Sequence, residues 1–174
     1  MQKTKPNTPS KRSLSKKQLS PVRISAVKAI SKISKANPII FSGSVKKPES
    51  QMTPIEKMER LNIGISKKDL ETLKARTNLD YDKLAKLLSV TRATLINKTG
   101  TEKFNSALSE RILGLADIYS YGYEVFEDEE NFNQWMFMQN HALGSKTPYE
   151  VCNNQFGREE VKNIIGRIEY GVYS

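Results

Sequence analysis

From residue 53 onward the hydrophobic positions recur at intervals of three and four, the period of helices that bury one face. Thr53-Pro54-x-Glu56 opens the first helix. It sets a threonine cap, a proline at the first helical position and a glutamate that can reach back to the cap amide, predicting a helix over about 53–61. Ser66 with Asp69 caps a second, to about residue 76, with Leu70 and Leu73 inward. Asp80 caps a third over 81–88, with Leu84, Leu87 and Leu88 inward. Thr91 caps a fourth over about 92–98, with Leu95 and Ile96 inward.

The longest apolar stripe follows. Leu108, Ile112, Leu115, Tyr119, Tyr123 and Phe126 predict one helix over about 106–126, with Gly122 inside it at some loss of helicity. The acids of 127–130 open another helix at the end that favours negative charge. Phe132, Trp135, Met136 and Gln139 share a face of it, and Met138 falls off that face, as a residue exposed at an interface would. Thr147-Pro148-x-Glu150 repeats the first capping pattern ahead of a short helix ending near Asn153 and Asn154. Phe156-Gly157 reads as a break. A last helix is expected over about 158–168, with Val161, Ile164, Ile165 and Ile168 on its apolar face. No segment alternates convincingly with the period of a strand, so the expected fold class is all-α.

Charge divides this picture. The chain has 174 residues and a formal net charge of +9. Residues 1–50 carry 12 Lys and Arg against the single acid Glu49, residues 51–120 are +3, and residues 121–174 are −5. The high pI therefore belongs to the tail, and the two halves of the remainder face different partners. Residues 1–50 are rich in Lys and Ser and interrupted by Pro6, Pro9, Pro21, Pro38 and Pro48, which predicts a disordered basic tail. Within it Val22, Ala26, Ile30 and Ile33 allow one amphipathic helix, and its composition also fits an organellar transit peptide. Cys152 is the only cysteine, so no intramolecular disulfide can form and a reducing cytoplasm is the expected compartment. No apolar run approaches the roughly 18 residues of a membrane span, so no membrane partner is expected.

The second and third helices, a turn of about three residues and the fourth helix form a helix-turn-helix pattern. Ala85 sits where two of the helices must approach closely, and Ser89 stands where a positive φ often selects glycine. If the pattern reads DNA, Thr91, Arg92, Ala93, Thr94, Asn97 and Lys98 face the major groove, with arginine suited to guanine and asparagine to adenine. The alternative is a helical bundle with a solvated face. His141 and Cys152 are single and lack a supporting acid or second ligand, so no catalytic residue, metal site or cofactor is expected.

From residue 108 to the end the chain resembles the Xre/MbcA/ParS family of bacterial antitoxins, which pair with RES-domain toxins. The likeness rests on the long helix before Phe126, on Trp135, on Asn140-x-Ala142-Leu143-Gly144, on Thr147-Pro148, and on Phe156-Gly157-Arg158-Glu159-Glu160-Val161. Its most specific part is the ending, Gly166-Arg167-Ile168-Glu169-Tyr170-Gly171-Val172-Tyr173-Ser174. With the helix-turn-helix it covers about residues 65–174, and Ser89 and the long tail depart from the pattern. The resemblance implies a bacterial cytoplasmic antitoxin without enzymatic activity. It would neutralise a cognate NAD-degrading RES-domain toxin by occluding the active site, and repress its own operon as a homodimer on operator DNA. Arg167, Glu169, Tyr170, Gly171, Val172, Tyr173 and Ser174 would then be the toxin-binding residues.

The resulting division is a tail over 1–50, a helix-turn-helix DNA-binding region over 51–105, and a toxin-binding and dimerisation domain over 106–174. The alternative reading is a plain dimeric helix-turn-helix regulator with no toxin partner.

Overall fold

A computed structural model describes residues 36–41 and 47–171. These form eight α-helices, α1 Pro54–Ile63, α2 Lys67–Thr77, α3 Tyr81–Leu87, α4 Arg92–Ile96, α5 Ser106–Phe126, α6 Glu129–Trp135, α7 Pro148–Val151 and α8 Gln155–Glu169. Among the described residues there is no strand, only isolated bridges of Ser66 with Lys103 and of Asn140 with Lys146. No helix among them is long and apolar enough to cross a membrane. The helix expected near Val22, Ala26, Ile30 and Ile33 lies outside the described residues.

Local chemistry sets most helix starts. Thr53, Ser66 and Thr147 form full capping boxes with Glu56, Asp69 and Glu150, while Asp80, Thr91, Asn105, Asp128 and Asn154 cap with the side chain alone. Each such cap satisfies an amide that the helix leaves without a partner. Glu127 does not open α6. It ends α5 in the left-handed conformation, φ 55°, and Asp128 caps the next helix.

α5 is the central post. α1, α6, α8 and the 3-10 turn Glu49–Gln51 all pack on it. Leu108, Ile112, Leu115, Ile118, Tyr119 and Tyr123 are buried along its length. Gly122 admits the Phe132 ring, since a Cβ there would stand 2.2 Å from it. The Tyr119 hydroxyl is fully buried and has no hydrogen-bond partner. An unpaired buried hydroxyl costs about 1–3 kcal/mol. Tyr119→Phe is therefore expected to leave stability unchanged or raise it by about 1 kcal/mol, read from the midpoint of urea unfolding.

The basic tail ends earlier than its composition indicated. Ile40 and Phe41 are buried, and the Glu49 carboxylate accepts from both their amides at 2.8 and 2.7 Å. Burial pushes the Glu49 carboxyl above its usual range, against the pull of those amides. Arg76 donates to the carbonyls of Asn37 and Ile39 and pairs with Glu129 at 2.5 Å. Residues 36–41 and 47–50 thus belong to the folded body. Sequence pattern misses this because Pro38, Lys47 and Pro48 look like tail, while the more distant partners that order the segment, Arg60, Arg76 and Glu129, are 19 to 92 residues away.

Candidate functional sites

Two surfaces carry the residues that the sequence singled out. The first is the helix-turn-helix. The turn between α3 and α4 holds Ser89 at φ 51°, the left-handed conformation expected of that position. A serine there carries backbone strain of about 1–2 kcal/mol, and its surroundings hold it in place. Ser89 Oγ donates to the Asn153 carbonyl at 3.2 Å. Arg111 Nη1 donates to the carbonyls of Leu88 and Ser89 at 2.9 and 3.3 Å. The turn is thus clamped by α5 and by the loop between α7 and α8. Ser89→Gly should relieve the strain and lose the Asn153 bond, a net gain of up to about 1 kcal/mol in thermal unfolding.

α4 is shorter than expected, since Asn97 is its C-cap and Lys98 lies beyond it. It buries only Leu95, and Ile96, expected inward, is exposed. Thr91, Arg92, Ala93, Thr94 and Asn97 are all exposed, and Lys98 is half-buried with its ammonium over the Phe104 ring. The six residues therefore form a nearly continuous outward surface. What fixes α4 from beneath is Lys67, which sequence pattern does not single out. It is buried, and its Nζ donates to the Leu95 carbonyl at 2.7 Å and the Tyr81 hydroxyl at 2.5 Å, and pairs with Glu71 at 2.7 Å. One ammonium thus joins α2, α3 and α4.

The second surface is the end of α8. The helix begins at Gln155 on an Asn154 cap, so Phe156-Gly157 lies inside it and does not break the chain. The role of Gly157 is close approach: a Cβ there would stand 1.7 Å from the Val151 carbonyl oxygen. Val161, Ile164 and Ile165 bury the inner face against α5. Arg167 pairs with Glu160 at 2.6 Å, and Glu169 accepts from the Tyr121 hydroxyl at 2.5 Å. Burial, together with the Glu169 carboxylate, pushes the Tyr121 hydroxyl above its usual pKa. Tyr170 is 80% exposed, and Gly171 bends away at φ 70° with nothing within 4 Å of a Cβ position. Val172, Tyr173 and Ser174 lie outside the described residues. Tyr121, Lys162, Asn163, Gly166, Arg167 and Tyr170 line an open groove beside this end.

The two halves share a buried charge. Asp117 of α5 stands between Lys57 of α1 at 3.0 Å and Lys162 of α8 at 2.7 Å, hydrogen-bonded to the second. Cys152 is buried and its thiol is pushed up to about 12 by desolvation, while His141 is exposed, so the two do not form a nucleophile and base. Met138 is 61% exposed, as its position off the Trp135 face indicated.

These surfaces coincide with two known domains. Residues 60–117 match the Xre-like helix-turn-helix domain of antitoxins, and residues 122–171 match the C-terminal toxin-binding domain of Xre/MbcA/ParS antitoxins. Together the matches span more than half of the chain. The chain belongs to the Xre/MbcA/ParS antitoxin family. The family is regulatory rather than enzymatic. A curated relative, the Antitoxin Xre of Photorhabdus laumondii subsp. laumondii strain TT01, is 32% identical over 77 residues. That alignment covers 44% of this chain and 52% of the relative, so the chain spans about half the length of the protein it matches. The antitoxin matches begin at residue 60, which leaves the segment holding Ile40, Phe41 and Glu49 outside both domains.

Proposed function

We propose that the chain neutralises a cognate RES-domain toxin that degrades NAD, and represses its own operon from the bacterial cytoplasm. The observation that carries the proposal is the pairing of two outward-facing elements on one helical body. One is the exposed face of α4, with Thr91, Arg92, Ala93, Thr94 and Asn97; the other is the exposed end of α8 at Tyr170 and Gly171. Each lies in or at the edge of a domain whose family description matches the use proposed for it.

In this reading the last residues occlude the toxin's substrate cleft. Arg167 and Glu169 supply charge at its rim, Tyr170 and Tyr173 supply contact area, Gly171 supplies the bend, and Val172 and Ser174 complete the plug. Tyrosine gives large contact area at small entropic cost. On operator DNA a symmetric homodimer places two α4 helices in successive major grooves. Co-expression with the product of the adjacent reading frame tests the first activity. Growth and intracellular NAD should both be restored, and a neighbouring product that leaves NAD intact when expressed alone would sink the RES assignment.

The DNA activity has its own expectation. Arg92→Ala should weaken operator binding by about 1–3 kcal/mol and relax the preference for one base pair. Lys98→Ala should lower the salt slope of binding by about one unit without changing sequence preference. Titration of labelled operator at several salt concentrations separates the two.

A further inference from the structure

We infer that the whole outer face of α8 is a docking surface for the toxin, with Phe156 as a second aromatic anchor opposite Tyr170. This rests on the toxin-binding reading of the C-terminal half and enlarges the surface beyond the last turn.

Phe156 is 81% exposed and Tyr170 is 80% exposed. They are fourteen residues apart, which on a helix is about 21 Å along the axis and about 40° short of a whole number of turns. The two rings therefore stand near opposite ends of one face. Glu160, Asn163 and Arg167 lie between them on the same face by the same spacing. These three are already organised, since Arg167 pairs with Glu160 at 2.6 Å and Asn163 donates to Glu160 at 3.3 Å. The opposite face is committed to the core through Val161, Ile164 and Ile165.

Single exposed apolar side chains are ordinary. Two aromatics at about 80% exposure, aligned over the length of one helix with a polar network between them, have the layout of an interface: aromatic anchors with satisfied polar groups beside them. The start of α8 is also fixed where it is. Gly157 lies so close to the Val151 carbonyl, and Asn154 caps its amide so directly at 3.0 Å, that this turn cannot roll Phe156 inward without breaking both contacts. The occupant is a protein surface rather than a nucleic acid, because residues 121–174 are net −5. The family description of residues 122–171 as toxin-binding favours the toxin over a second copy of this chain.

The test uses the full chain, the Phe156→Ala variant and the purified RES-domain product of the adjacent frame. Toxin affinity, inhibition of NAD hydrolysis at saturation, melting temperature and self-association are measured. Phe156→Ala is expected to weaken toxin binding by about 30-fold or more, as an anchor residue does. Inhibition at saturation should stay complete because residues 170–174 are untouched, and melting temperature and self-association should not change. Affinity within about threefold of the parent would overturn the inference while leaving toxin binding intact. A changed self-association state would overturn it too, by assigning the face to a contact between copies. A parent chain that does not bind the toxin would remove the underlying reading as well, and that result is visible before any variant is made.

Discussion

Removing residues 170–174 is expected to abolish neutralisation while leaving the fold and operator binding in place. The described part of this segment, Tyr170 and Gly171, is structurally cheap to lose. Tyr170 is 80% exposed, Gly171 has open space around it, and the two contribute only the amide bonds to the carbonyls of Gly166 and Ile168 that finish α8. The bond that ties the last helical turn to α5, from Tyr121 to Glu169, survives the cut. Loss of such surface groups changes stability by roughly 0.5 kcal/mol or less. The functional loss is of another order. Truncating one anchor of a protein interface removes about 2 kcal/mol or more, and the segment carries two tyrosines. Toxin affinity should fall about a thousandfold if two anchors are lost together. The measurements are toxin affinity by calorimetry, operator binding by titration, and melting temperature. The rival reading, a dimeric regulator with no toxin partner, expects the opposite pattern: a change in self-association and no effect on any toxin. Unchanged protection after the cut would falsify the plug.

What could be read from the sequence follows the range of the interactions involved. Capping is a matter of three residues, so Thr53, Ser66, Asp80, Thr91 and Thr147 could be assigned from their neighbours alone, and each caps where expected. The positive φ of Ser89 was legible for the same reason, since the turn geometry is local. The misses are long-range. Lys67 sits at the first position of α2, where a lysine ordinarily meets solvent; its burial depends on a carbonyl 28 residues away at Leu95. Glu49 looked like the lone acid of a tail, and its buried role depends on Ile40 and Phe41 folding back over it. Phe156 carries no signal of exposure in its own spacing, since it becomes an outward residue only once α8 is seen to start before it.

Gly157→Ala is expected to have the largest structural effect of any single methyl addition in the C-terminal half, with Gly114→Ala as its opposite. Both glycines are helical, one in the first turn of α8 and one within α5. Propensity alone favours alanine at each by up to about 1 kcal/mol. At Gly114 nothing opposes that preference, because a Cβ there comes no nearer than 3.4 Å, to the Nε of the flexible Arg158 side chain. A gain of about 0.5–1 kcal/mol is expected. At Gly157 the same Cβ would lie 1.7 Å from the Val151 carbonyl oxygen and 2.6 Å from its carbon. These are backbone atoms, so no rotamer change relieves the overlap, and the first turn of α8 must separate from α7 or unwind. Unwinding breaks the Asn154 bond to the Gly157 amide, and separation breaks the Arg158 bond to the Cys152 carbonyl. A loss of about 3 kcal/mol or more is expected, in the range of overpacking joined to a lost cap. The damage should also reach the turn between α3 and α4, because Asn153, whose carbonyl receives Ser89, lies in the segment that has to move. Paired urea unfolding curves test the sign at each position. Equal and small effects at both glycines would show that α7 and α8 do not approach as closely as the structure places them.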